Sequence, residues 1–143
     1  PNHKNGRRMI VLAWNPGNAT ISKLPPCHYT FAFNVLGNKL NCHLTQRSGD
    51  IALGIPFNLA CYSLLTMMIA KECGYEVGEF AHTIIDAHIY ENHIEGLKEQ
   101  LTREPLKLAK IKIADKPFNE LTFEDIVLED YESHPVIKFE VAV

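Results

Sequence analysis

The chain has 143 residues, 46% of them hydrophobic and 22% charged, with a formal net charge of -3. That is the composition of an ordinary globular protein with one core, and it excludes a charge-driven binder of nucleic acid or membrane. No apolar run reaches the ~18 residues that span a bilayer. The first ten residues carry His3, Lys4, Arg7 and Arg8 and no apolar stretch, so no signal peptide is read there.

Residues 8–15 form an apolar run of strand length, closed by Pro16-Gly17. Residues 29–36 and 39–47 are expected to be two strands of a hairpin, joined at Gly37-Asn38. Phe31, Phe33 and Val35 alternate on one, and Leu40, Cys42 and Leu44 on the other, so each strand has one buried face. A helix is expected from Pro56 to Cys73. Proline suits its first turn, and Gly74 suits its C-terminal cap. It is apolar on nearly all sides, which predicts burial in the middle of the fold. A strand over 80–90, an amphipathic helix over 92–103 and strands over 107–113, 126–131 and 136–141 complete the pattern. The expected fold class is α+β: a single domain, residues 1–143, with a mixed sheet around a long buried helix. The chain begins at Pro1 and enters a strand almost at once, as expected of the C-terminal part of a longer polypeptide.

Four cysteines, Cys27, Cys42, Cys61 and Cys73, form no CxxC pair, which fits a reduced, cytoplasmic compartment. Cys42, Cys61 and Cys73 lie inside strand or helix patterns and read as small buried hydrophobes. Cys27 differs. Two stiff prolines precede it and His28 follows, so a thiol is held beside an imidazole in extended backbone. On these residues alone, a nucleophile and one more buried cysteine both remain open.

The run from Gln46 to Asn58 places Arg47, Ser48 and Asp50 around a glycine-bearing turn that leads into the helix. An Arg fork, a hydroxyl and a helix N-terminus favour phosphate. Asn58, in the first turn, carries a donor and an acceptor on one amide. It can read a pyrimidine edge, or it can cap its own helix. His88 and Tyr90 share a strand face in this reading and can donate to a sugar hydroxyl or be ordinary buried polar residues. His82, His88 and His93 match no metal-ligand spacing, so no metal is expected.

Taken together, Arg7-Arg8 with Ala13-Trp14-Asn15, Pro25-Pro26-Cys27-His28, Gln46-Arg47-Ser48 with Asp50, Leu53-Gly54 with Pro56-Phe57-Asn58, Asp86 with His88 and Tyr90, and the tail from His134-Pro135 to Val141-Ala142-Val143 resemble the thymidylate synthase family. The resemblance implies that Cys27 attacks carbon 6 of dUMP, with Arg47 near both the sulfur and the phosphate. Ser48 would join Arg47 on the phosphate, and Arg7 and Arg8 would reach the partner's site in a homodimer. Asn58 would read the uracil edge, His28 and Gln46 would order the polar network around the base, and His88 and Tyr90 would hold the ribose. The cosubstrate methylenetetrahydrofolate would lie on Asp50, Leu53, Gly54 and Phe57, with Ala142 and Val143 closing over it. The implied product is dTMP. Metal, membrane and nucleic acid have no part in it.

The resemblance omits the family's N-terminal portion, so these residues taken alone are expected to give no turnover. The alternatives are a pyrimidine nucleotide hydroxymethylase of the same fold, for which an acid rather than Asn58 would be expected, and a noncatalytic nucleotide-binding dimeric fragment.

Overall fold

The structure is a computed structural model that describes residues 4–141. They divide between two compact units, Pro1–His88 and Ile89–Val143.

The first unit is built on four strands: β1 (Met9–Leu12), β2 (His28–Leu36), β3 (Lys39–Asp50) and β4 (Glu76–His88), adjacent in that order. The first two pairings are antiparallel, and β3 with β4 is parallel. The sheet is therefore mixed, as the α+β expectation requires. Gly37 turns the β2–β3 hairpin at φ 63°, a left-handed conformation that costs glycine nothing in Cβ contact. A parallel pair needs a crossover, and α1 (Gly54–Cys73) supplies it between β3 and β4. Gly74 ends the helix at φ 70°, its N–H reaching the carbonyls of Ala70 and Lys71.

Alternation decides which face of this sheet is covered. Phe31, Phe33 and Val35 stand opposite Leu44, Cys42 and Leu40, so the apolar residues of β2 and β3 share one side. Leu40, Cys42, Leu44 and Gln46 are buried there. The helix lies on that side through one stripe, Ile55, Tyr62, Thr66 and Ala70. Tyr62 sits edge-on to Phe31, with centroids 5.2 Å apart, and stacks on Phe80 at 6.2 Å.

Several boundaries differ from expectation, each for a physical reason. β3 runs through Gly49 to Asp50 instead of ending at Arg47, because Ser48, Gly49 and Asp50 pair with Asp86, Ala87 and His88. α1 starts at Gly54, two residues before Pro56. The helix is not enclosed on all sides among the described residues: the sheet covers one stripe, and Phe57 remains 70% exposed. β4 starts at Glu76, where its backbone joins Lys39, although polar residues there look like a loop. It stops at His88, and Tyr90 leads instead into a 3-10 turn at Glu91–His93.

In the second unit that turn continues into α2 (Ile94–Leu101). β5 (Lys110–Ile113) pairs antiparallel with β6 (Ile126–Glu129). β6 ends before Asp130, whose φ is 57°. Asp125 closes the intervening loop: its carboxylate accepts from Lys116 Nζ, Thr122 N and Thr122 Oγ1 at 2.9 to 3.0 Å. The Lys116 bond comes first among the causes that lower its pKa to about 2. Residues 136–141 form no strand. Their alternation is real, but it seats Ile137 and Phe139 against Gly96, where a Cβ would meet the Phe139 ring at 2.6 Å. Side chains bind this tail's backbone, with Arg103 Nη1 donating to the Pro135 carbonyl at 2.6 Å and His93 Nε2 to that of Glu140 at 2.6 Å.

Candidate active site

Cys27 and Arg47 meet because β2 and β3 pair just beyond them. Arg47 N donates to the Cys27 carbonyl at 2.8 Å. Its side chain then folds onto the same segment: Nε to the Pro26 carbonyl at 3.1 Å, Nη2 to that of Pro25 at 2.7 Å and Nη2 to Cys27 Sγ at 3.5 Å. Prolines offer carbonyls and no N–H, so this stretch can be gripped only by a donor, and a guanidinium has five. The result is a half-buried thiol with a fixed cation beside its sulfur.

Gln46, on the covered face, is 2% exposed. Its Nε2 donates to the Ser48 carbonyl at 2.8 Å and to Asn58 Oδ1 at 2.9 Å, and its Oε1 lies 2.9 Å from His82 Nε2. Asn58 is in the second turn of α1 and does not cap the helix; its amide is directed to the network. His28 Nδ1 lies 2.9 Å from the Tyr62 hydroxyl, with the rings edge-on at 5.5 Å. Gln46, Asn58 and His82 thus form one hydrogen-bonded cluster, and His28 with Tyr62 a second pair, on the covered side of the sheet. Burial, then His28 and His43, push the His82 imidazole below its ordinary value. Burial raises the Tyr62 phenol, reinforced by Cys42 and Cys61, and burial also raises the Cys42 thiol.

The carboxyl ends of the parallel strands lie side by side, Asp50 opposite His88. Open sheets bind ligands at such ends. Asp50 accepts from Ala52 N at 3.0 Å and Leu53 N at 3.3 Å, so its carboxylate forms the turn into α1. Gly49 is needed for close approach and not for a turn: a Cβ there would meet Ile55 Cδ1 at 2.5 Å. Half-buried Leu53 and Gly54 follow Asp50, and Phe57, four residues after Leu53, presents its ring to solvent. Ser48 is half-buried on β3 opposite Asp86.

The remaining candidates are placed elsewhere. His88 ends β4, with Nδ1 3.3 Å from the Asp86 carbonyl. Tyr90 does not share its strand; it lies in the second unit, with its ring 5.6 Å from that of His93. Arg7 and Arg8 are exposed at the start of β1, an edge strand separated from β3 by β2. Ala142 and Val143 lie outside the described residues. Among the described residues no group of three His, Cys, Asp or Glu could hold a metal ion, and no helix is long and apolar enough to cross a membrane.

The sequence reading missed His82 and Tyr62. The signal for His82 was present: Phe80, His82 and Ile84 alternate, and an imidazole between two apolar residues on a covered face needs a polar partner.

Comparison with known proteins places these residues in context. The family model described as thymidylate synthase matches residues 1–143. A thymidylate synthase of Haloferax volcanii is 42% identical over 188 aligned positions, covering 96% of this chain and 55% of that protein. Those of Listeria monocytogenes serotype 4a (strain HCC23) and serotype 4b (strain CLIP80459) are each 54% identical over 141 positions, covering 97% of this chain and 45% of theirs. The chain spans about half the length of the curated relatives it matches.

Proposed function

This chain belongs to the thymidylate synthase family, and we propose that the complete polypeptide carrying it methylates dUMP reductively to dTMP with methylenetetrahydrofolate. The observation that carries the reading is the Cys27–Arg47 pair, a thiol with a guanidinium nitrogen 3.5 Å from its sulfur.

Carbon 5 of uracil is a poor nucleophile. Addition of the Cys27 sulfur to carbon 6 forms an S–C bond and shifts the ring π pair toward the carbon 4 oxygen, leaving an enolate that is nucleophilic at carbon 5. The site supplies what that step needs. Arg47 gives a cationic donor to the sulfur and, with Ser48, faces the phosphate. The Asn58 amide has its Oδ1 held by Gln46, and its Nδ2 donates to the developing oxyanion. His28, fixed through Nδ1 on Tyr62, orders water at the base with its other nitrogen. His88, which ends β4, holds the ribose hydroxyl. Asp50, Leu53, Gly54 and Phe57 hold the folate, which when bound supplies the one-carbon unit and the hydride. Once the one-carbon unit is attached, carbon 5 gives up its proton to water ordered in the site, and hydride delivery to the new carbon returns an electron pair to the ring that breaks the S–C bond at carbon 6 and restores Cys27.

The reading includes a cytoplasmic homodimer in which Arg7 and Arg8 serve the partner's phosphate. Ile10, Leu12 and Ile85 lie on the sheet face away from α1 and are each more than half exposed; a second subunit would cover them. The hydroxymethylase reading is disfavoured by Asn58, whose neutral amide is already paired with Gln46. The noncatalytic reading is separated by one experiment. Intact mass of the complete polypeptide, incubated with 5-fluoro-dUMP and methylenetetrahydrofolate, should show a covalent adduct that maps to Cys27. A folded protein that forms none would overturn the proposal.

A further inference from the structure

His82 has no role in the reaction proposed above, yet it touches the residue that orients the pyrimidine reader. Donor and acceptor chemistry fixes the direction of each bond in the chain of contacts. A backbone carbonyl only accepts, so the Gln46 atom 2.8 Å from the Ser48 carbonyl is the amide nitrogen. The other hydrogen of that nitrogen points to Asn58 at 2.9 Å, so the Asn58 atom there is the carbonyl oxygen. The far end of Gln46 is then its own oxygen, and His82 Nε2, 2.9 Å away, must carry a proton. One backbone carbonyl thus sets the polarity of three side chains.

The Ser48 carbonyl sets the polarity of Gln46 but does not by itself hold the side chain in place. Gln46 is buried, and without a donor at position 82 its oxygen would be left unpaired, a cost that displacement of the side chain toward water relieves. Rotation in place cannot relieve it, because it would set the Gln46 oxygen against the Ser48 carbonyl; a displaced Gln46 instead releases Asn58 Oδ1, and the Asn58 amide is then free to reverse. With Oδ1 held by Gln46, Asn58 offers an acceptor to a ring N–H and a donor to the adjacent carbonyl, the edge of uracil. Reversed, it matches cytosine, whose ring nitrogen accepts and whose amine donates.

We propose that His82 is a positioning residue: through its Nε2–H it locks Gln46, and through Gln46 it locks Asn58 in the orientation that accepts a uracil edge and rejects a cytosine edge. The inference rests on the assignment of Asn58 as the pyrimidine reader. Burial keeps the imidazole neutral, so the tautomer matters.

The test compares dUMP and dCMP affinities of the complete protein with those of His82→Phe and His82→Gln. Phenylalanine keeps the ring and removes the donor; glutamine returns an N–H at similar reach. The ratio of the two affinities should fall about tenfold in His82→Phe, the worth of one hydrogen bond, and recover in His82→Gln. A merely structural role would weaken both nucleotides together and leave the ratio unchanged, which would overturn the proposal. Should His82→Phe not fold, 15N spectra of the histidine-labelled wild type decide: an Nε2–H tautomer at His82 is expected, and an Nδ1–H tautomer would overturn the proposal. Failure of the wild type to form the 5-fluoro-dUMP adduct would instead sink the functional reading beneath it.

Discussion

Two histidine contacts on the two faces of the sheet look alike and are not. His82 Nε2 lies 2.9 Å from Gln46 Oε1 under α1, and His43 Nε2 lies 2.8 Å from Thr83 Oγ1 on the opposite face. The covered face leaves Gln46 no water to replace a lost partner. On the open face His43 and Thr83 are both exposed, and solvent can replace either. Length therefore says little about what a hydrogen bond contributes; the cost of breaking it depends on what would otherwise satisfy the group. Alternation along β3 and β4 makes this division, one residue at a time.

The comparison breaks most severely at Leu44, which is 0% exposed beneath the helix. Leu44→Ala should cost the complete protein about 2–5 kcal/mol, measured by denaturant unfolding, because the cavity sits between sheet and helix and neither relaxes easily. A cost below about 1 kcal/mol would mean that this face is not the core. The next test is acid. The His82 pKa is lowered, chiefly by burial. The unfolded chain therefore takes up its proton first as pH falls. The stability this group confers is present above the ordinary imidazole pKa of about 6.5 and is lost on acidification from there down to the lower folded value. NMR titration should find His82 half-protonated below 6.5. A value at or above 6.5 would place it in an environment as wet as the open face.

The sequence made part of this legible. The hairpin at Gly37 is written locally, in a glycine and short-range alternation, and it forms as expected; Cys27 and Arg47 also stand out locally, beside prolines and a glycine-bearing turn, and the structure brings them together. The helix was readable too, because Gly74 marks its end. What was missed depends on contacts between distant residues. Gly49 reads as a turn glycine, whereas it is small because Ile55 and Ile84 crowd it. His82 acts on Gln46 across 36 positions of sequence. Residues 136–141 alternate like a strand, but alternation reports only that one side is covered, here by Gly96 and its neighbours, and says nothing of whether a ladder forms.

The smallest effect is expected at His43, and it sharpens the contrast between the faces. Within one chain its contact with Thr83 is solvent-exposed, so His43→Ala should leave folding of the subunit within about 0.5 kcal/mol of the wild type. If the apolar residues around it, Ile10, Leu12 and Ile85, seat a second subunit, the loss should appear in association instead. One hydrogen bond removed from each chain at a two-fold interface would weaken the dimer by about 1–3 kcal/mol, counting both copies. Sedimentation equilibrium of the complete protein separates the two cases. Weaker association with unchanged subunit folding would identify this face as the interface. Unchanged association would leave it open to solvent and move the proposed dimer contact to another surface.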